Sequence, residues 1–104
     1  MKIKDHRDPS GKIVDIYSVY WIHNKTIFLG LPKNHGGLQA YDQTNITIIE
    51  PEFVGNYIFY DNGIYHWALI KEKLLDNLLE LDETAYNRFL DILKSEGQID
   101  SDFY

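Results

Sequence analysis

Four histidines, one glycine-rich loop and a few paired carboxylates are the residues of this chain whose types could do chemistry. His6, His23, His35 and His66 lie far apart, and none has a partner at the short helical spacing of a zinc pair. A metal site would need ligands gathered from distant segments. With no Cys in the chain, no thiolate can complete one. His66, between Tyr65 and Trp67, is a candidate general base, but spacing alone fixes no carboxylate beside it. A sheet histidine with an ordinary hydrogen bond is the plainer reading.

Lys33-Asn34-His35-Gly36-Gly37 could turn backbone amides and a lysine toward an anion. It has the spacing of neither phosphate-binding fingerprint, and no helix opens after it, so a hairpin connection explains it as well. Ser10 and Ser18 have no adjacent His–acid arrangement. Glu50 and Glu52 straddle Pro51, while Asp82 and Glu83 stand where a helix begins. No catalytic set is assembled by this spacing. The expectation is a protein that is not an enzyme and needs neither metal nor cofactor.

The elements that must position these residues are organised around one stretch, Asn56–Leu69. Asn62-Gly63 is the dipeptide most favoured in a type I′ turn, where both residues need positive φ. A loop there would pair Tyr60 with Tyr65, Phe59 with His66 and Ile58 with Trp67. Before it the chain reads as strand, and after it as helix. Residues 1–12 are polar, with Asp8-Pro9-Ser10-Gly11 as turn punctuation, and read as a loose lead-in. Ile13–Ile22 is a long strand with Val14, Ile16, Tyr20 and Ile22 on one face and Asp15, Tyr17, Val19 and Trp21 on the other. Shorter strands follow at Thr26–Leu31, Leu38–Tyr41 and Ile46–Glu50. Leu74, Leu75, Leu78 and Leu79 mark an amphipathic helix. A second helix starts on an Asp82 cap and ends at Gly97, with Ile99 folding back on its last turn. The expected fold is α+β in one domain, 1–104. Residues 13–70 form an antiparallel sheet or partly curled barrel of about five or six strands; 71–97 form an antiparallel two-helix hairpin, and 98–104 a tail.

Composition narrows the function further. At 104 residues, 44% of them apolar, the chain can bury one core. Residues 1–40 carry six Lys/Arg and three Asp/Glu, a balance of +3; residues 41–104 carry four and thirteen, a balance of −9, which together give the net −6. A long acidic segment opposes nucleic-acid binding, which needs clustered Lys/Arg, and suits a basic partner. No apolar run approaches the ~20 residues of a membrane helix, and there is no signal-peptide core, so a cytoplasmic protein is expected. Aromatics reach 14%, and both faces of the central hairpin are apolar. One face should meet the helices. The other needs a curled sheet or another molecule to cover it.

The acidic stretch from Tyr41 onward and the aromatic hairpin Tyr57–Trp67 resemble, in character, the immunity proteins that bacteria encode beside polymorphic or contact-dependent inhibition toxins. The resemblance implies stoichiometric inhibition of a toxin domain, often a basic nuclease, whose active site is covered by carboxylates standing in for phosphates. It points to Asp42, Glu50, Glu52, Tyr60, Asp61 and Tyr65 as contact residues, with Asp76 and Glu80 on the outward side of the first helix. Two other classes stay open. One is an SH3-like module that reads a peptide or small ligand through Tyr17, Trp21, Tyr60 and Tyr65. The other is a small enzyme built on His35 or His66.

Overall fold

In a computed structural model describing Met1–Tyr104, the chain runs β1 (Lys2–Asp5), β2 (Ile13–Ile22), β3 (Lys25–Leu31), β4 (Gln39–Asp42), a 3₁₀ turn (Gln43–Asn45), β5 (Ile46–Glu50), β6 (Tyr57–Tyr60) and β7 (Gly63–His66). Three helices follow, α1 (Trp67–Lys71), α2 (Leu75–Leu79) and α3 (Glu83–Ser95). The fold is α+β, with all seven strands antiparallel in one sheet. No helix is long and apolar enough to cross a membrane.

The long apolar strand β2 organises the sheet. Along one edge it pairs with β3 from Asp15 to Ile22, and β3 with β4. The opposite edge is divided: β1 lies against Ile13–Asp15, and β7 against Ser18–Tyr20. The sheet therefore forks beside Tyr17, with β5 outside β1 on one prong and β6 outside β7 on the other.

The N-terminal residues are thus not a loose lead-in but a strand inside the sheet. One residue decides this. Ile3 is fully buried between β2 and β5, and Lys2 adds an ion pair to Asp15 at 2.7 Å. The even alternation expected for β2 also fails. Ile16 pairs with Gly30 but Ser18 pairs with Leu29, so Tyr17 is the extra residue of a β-bulge. Past the bulge the faces exchange. Val14, Ile16 and Val19 share one buried cluster with Ile3, Phe28 and Tyr41. Tyr17 joins the other, beneath the helices, with Leu29, Tyr65, Leu78, Phe89 and Leu93.

The hairpin register also departs from expectation. Tyr60 pairs with Gly63, Phe59 with Ile64, Ile58 with Tyr65 and Tyr57 with His66. The loop is Asp61-Asn62, with Asp61 carrying the positive φ of 53°. Gly63 belongs to the strand because a Cβ there would sit 2.6 Å from Tyr20 Cβ and 2.9 Å from Val19 O. The shift is two residues, so each side chain keeps its face.

Strand ends at His66 rather than Ile70. The His66 ring caps α1 by accepting the Ala68 N–H at 3.1 Å. Positive φ at Lys73 and Leu81 then divides the helical region into three pieces where two were expected. The cap residues of α3, Asp82 and Gly97, match the reading from sequence, though the residue that closes the last turn is Gln98 rather than Ile99. Asp82 accepts from Ala85 N at 2.8 Å, and Gly97 (φ 72°) lets Gln98 N–H reach Leu93 O at 2.9 Å. Asp82→Ala should cost about 1 kcal/mol by removing this cap, read as a lower urea midpoint at unchanged m-value. An unchanged midpoint would mean that the cap bond is replaced by water at no cost.

Candidate functional site

His66 sits at the junction of sheet and helices, fully buried among Tyr17, Tyr57 and Phe89, whose rings meet it edge-on at centroid distances of 6.0, 5.7 and 5.4 Å. Because Nδ1 accepts the Ala68 N–H, the ring proton is on Nε2, which donates to Glu96 Oε1 at 2.7 Å. Trp67 Nε1 donates to the second oxygen of Glu96 at 2.6 Å, and Gln98 Nε2 adds a bond at 3.0 Å. Burial works to raise the Glu96 pKa, but the Trp67 and His66 donors together outweigh it and hold the carboxylate below its usual range. Both ring nitrogens are engaged inside the protein, so this imidazole has no lone pair to offer a substrate. Across the sheet from it stands Tyr57, not Phe59. Glu96 is the member that spacing does not reveal, being thirty residues away. The Gly97 terminator is the one local signal that could have placed it at the end of α3.

The Lys33–Gly37 loop is committed to the fold as well. Asn34 N–H donates to Tyr104 O at 2.6 Å, Leu38 N–H to Leu78 O at 3.1 Å, and Gly37 is packed against Leu78 O. His35 is exposed on this loop, without a side-chain partner.

The open chemistry lies at the hairpin tips. A row of side chains crosses the sheet from Tyr41 through Phe28, Val19 and Ile64 to Phe59. At the β4 end it is buried. At the β6 end Phe59 is 73% exposed, with Trp21 at 44% on the same face, while the neighbouring Tyr60, 58% exposed, points to the opposite face. Trp21, Ile22, Lys25, Thr26, Phe59 and Asn62, with the His23–Asn24 turn, line a shallow groove of about 550 Å³ between the two hairpin tips, which Trp21 N–H joins by donating to Asn62 O at 2.9 Å. The second face is buried at its middle, around Ile3, Val19, Phe28 and Tyr41, and left open at these tips and along β5, where Ile48 and Ile49 are also exposed.

The acidic residues expected at the contact surface are spread over the molecule. Asp61 is exposed at the tip beside Tyr60, and Glu50 and Glu52 are exposed before β6. Glu50 also lines a cleft of about 210 Å³ in the fork, with Lys2, Asp15 and Glu96. Asp42 is at the far edge, in the register row Tyr60–Gly63–Tyr20–Ile27–Asp42, roughly 19 Å across at the usual strand spacing. Its carboxylate accepts from the Thr44 backbone N–H and hydroxyl, which hold its pKa low. Asp76 is exposed on α2 and Glu80 at its C-terminal cap.

Tyr65 does not belong to a contact surface. It is 9% exposed in the cluster beneath the helices, because the helical layer covers its face of β7. Tyr17, at 2%, is equally unavailable to a binding groove. The exposed anchor of the hairpin is Phe59, which the acid-and-tyrosine pattern did not single out.

From Asn34 through Ile70 the chain has no Lys or Arg, so β4 to β7 carry acidic charge only. Comparison with protein-family models finds no match, and neither the curated proteins nor the solved structures give one.

Proposed function

We propose that this protein is a stoichiometric inhibitor that binds a basic protein domain and covers its working surface, as an immunity protein covers the active site of a toxin nuclease. The observation that carries the reading is the exposed pair Phe59 and Trp21 on one face of the hairpin tips, with Tyr60 exposed on the opposite face beside Asp61, on strands β2 and β6 that carry no Lys or Arg. Exposed aromatic side chains beside an acidic segment are the ingredients of a specific interface: the rings supply burial, and the field of the segment selects and steers the partner, with Lys25 the one cationic side chain lining the groove. Glu50, Glu52 and Asp61 would act before contact, Phe59 and Tyr60 after it.

The test is capture of a basic protein from the source cells on the immobilised chain, followed by kinetics with the captured domain. Glu50→Gln, Glu52→Gln and Asp61→Asn together should slow association several-fold at low salt and much less at high salt. Phe59→Ala should speed dissociation on the order of tenfold. Binding that ignores both salt and the triple substitution would reduce the charge to a solubility feature and overturn the proposal.

A further inference from the structure

We infer that the outer edge of β6 grips the partner by accepting one of its extended segments as an eighth strand, and that this segment alternates apolar residues with Lys or Arg. The inference rests on the inhibitor reading for its partner and goes further, naming the backbone groups that hold it.

The pairing pattern identifies those groups. Trp67 N–H donates to Asn56 O at 3.0 Å. In an antiparallel ladder only alternate residues face the neighbouring strand, so Ile58 and Tyr60 turn their backbone toward β7 with Asn56. Tyr57 and Phe59 must then point N–H and C=O outward, and β6 has no strand on that side. Four backbone hydrogen-bonding groups stand free in a row.

This edge is also unguarded. Strands at sheet edges are ordinarily blunted by charge, proline or a bulge. The β5 edge has an irregular register against β1 and runs into Pro51, and β4 ends on the charged Asp42. Tyr57-Ile58-Phe59-Tyr60 is short, but it has no charge, proline or bulge, and two of its four side chains are exposed. An edge left open beside exposed aromatics matches what strand addition requires: main-chain bonds for affinity and alternate side-chain contacts for choice of partner.

Charge decides the occupant. Glu50 and Glu52 precede β6, Asp61 follows it, and no Lys or Arg lies in the chain between Asn34 and Ile70. A second copy would bring the same carboxylates against this edge, and each copy carries net −6. A segment bearing Lys or Arg meets them favourably.

The experiment uses the intact protein and a short end-blocked peptide alternating Val with Lys, followed by amide exchange measured by NMR. The amides of Tyr57 and Phe59 should gain protection on binding. Those of Ile58 and Tyr60, already bonded to β7, should change little. A peptide N-methylated at every second residue should bind on the order of tenfold more weakly, and one with Glu in place of Lys should be weakened by a similar factor. Phe59→Pro removes an outward N–H while sparing the ladder to β7, and should weaken binding more than Phe59→Thr, which keeps that donor. If Phe59→Pro does not fold, the methylated peptide on the unaltered protein makes the same comparison.

Equal binding of the methylated peptide, or protection elsewhere, would overturn the inference. So would protection of Tyr57 and Phe59 without peptide at concentrations where the chain dimerises, which would assign the edge to a second copy. A captured basic protein that leaves both amides exchanging freely would overturn the edge while the inhibitor reading stands. Peptide binding as described with no basic protein captured would overturn the inhibitor reading alone.

Discussion

His66→Leu should destabilise the protein by about 2–4 kcal/mol, a large share of the roughly 5–15 kcal/mol that holds a domain of this kind together. Leucine fills much of the ring's space, so the loss comes from polar groups left behind. The Ala68 N–H would be buried with no acceptor, which alone costs about 1–3 kcal/mol. The first turn of α1 would lose its cap. Glu96, about a quarter exposed, would exchange one donor for water at smaller cost. His66→Asn restores an acceptor at the cap position, and should recover roughly 1 kcal/mol relative to leucine. Equal urea midpoints for the two variants would show that the ring acts by packing alone.

The same network predicts an acid limb. The folded pKa of Glu96 lies below its ordinary 4.5. Its contribution is therefore present above that pH and is lost as pH falls through the lower, folded value. Glu96→Gln should flatten this part of the stability–pH curve and leave the neutral region parallel. An acid limb as steep as that of the unaltered protein would place the dependence on other carboxylates.

Gly63→Val should cost about 3 kcal/mol or more, by forcing a branched side chain into a space already occupied by Tyr20 Cβ and Val19 O. The comparison that identifies the cause is Gly63→Asn. If the position required positive φ, asparagine would be tolerated as one of the residues that adopt it most readily. Because the requirement is close approach of β2 and β7, asparagine should destabilise at least as much as Gly63→Ala. A Gly63→Asn protein as stable as the parent would restore the turn to Asn62-Gly63 and remove the register described above.

Those two sites show how far the fold can be read from residue order. The caps of α3 are legible because Asp82 and Gly97 act within a few residues of their own position. The 3₁₀ interruption between β4 and β5 is legible for the same reason, since Asp42 bonds to Thr44 two residues on. What is not legible depends on distant partners. Ile3 is one apolar residue among charges, and becomes core only because β5 returns to its far side. The Tyr17 bulge leaves no local trace, yet it decides which cluster each later residue of β2 joins. His66 reads as a strand residue until its ring is seen to cap a helix. At the candidate surface, Tyr60 and Asp61 stand where an exposed hairpin tip would put them. Tyr65, one strand away, is taken into the core by helices that its own neighbours do not announce.

The fork beside Tyr17 makes β2 the shared spine of two sectors, which meet again where Leu29, Leu31 and Leu38 pack beneath the helices. The first, β1 to β5, uses only residues 2–50 and has its own buried cluster around Ile3 and Phe28. The second is the β6–β7 hairpin and the helices; the hairpin joins the sheet through Ser18–Tyr20 and α1 through His66, while α2 is bonded to the loop before β4 by Leu38 N–H to Leu78 O. During synthesis the pairing of β1 to β5 can therefore form before the hairpin emerges, while Tyr17, Leu29, Leu31 and Leu38 wait for the helices to cover them. In the finished protein, β6 can come away without breaking one bond of β1 or β5. Amide exchange should accordingly rank the Tyr57–Tyr60 hairpin among the first units to open and Ile3 among the last. An edge that opens easily while the rest of the sheet stays closed can adjust to an incoming strand at little cost to the fold.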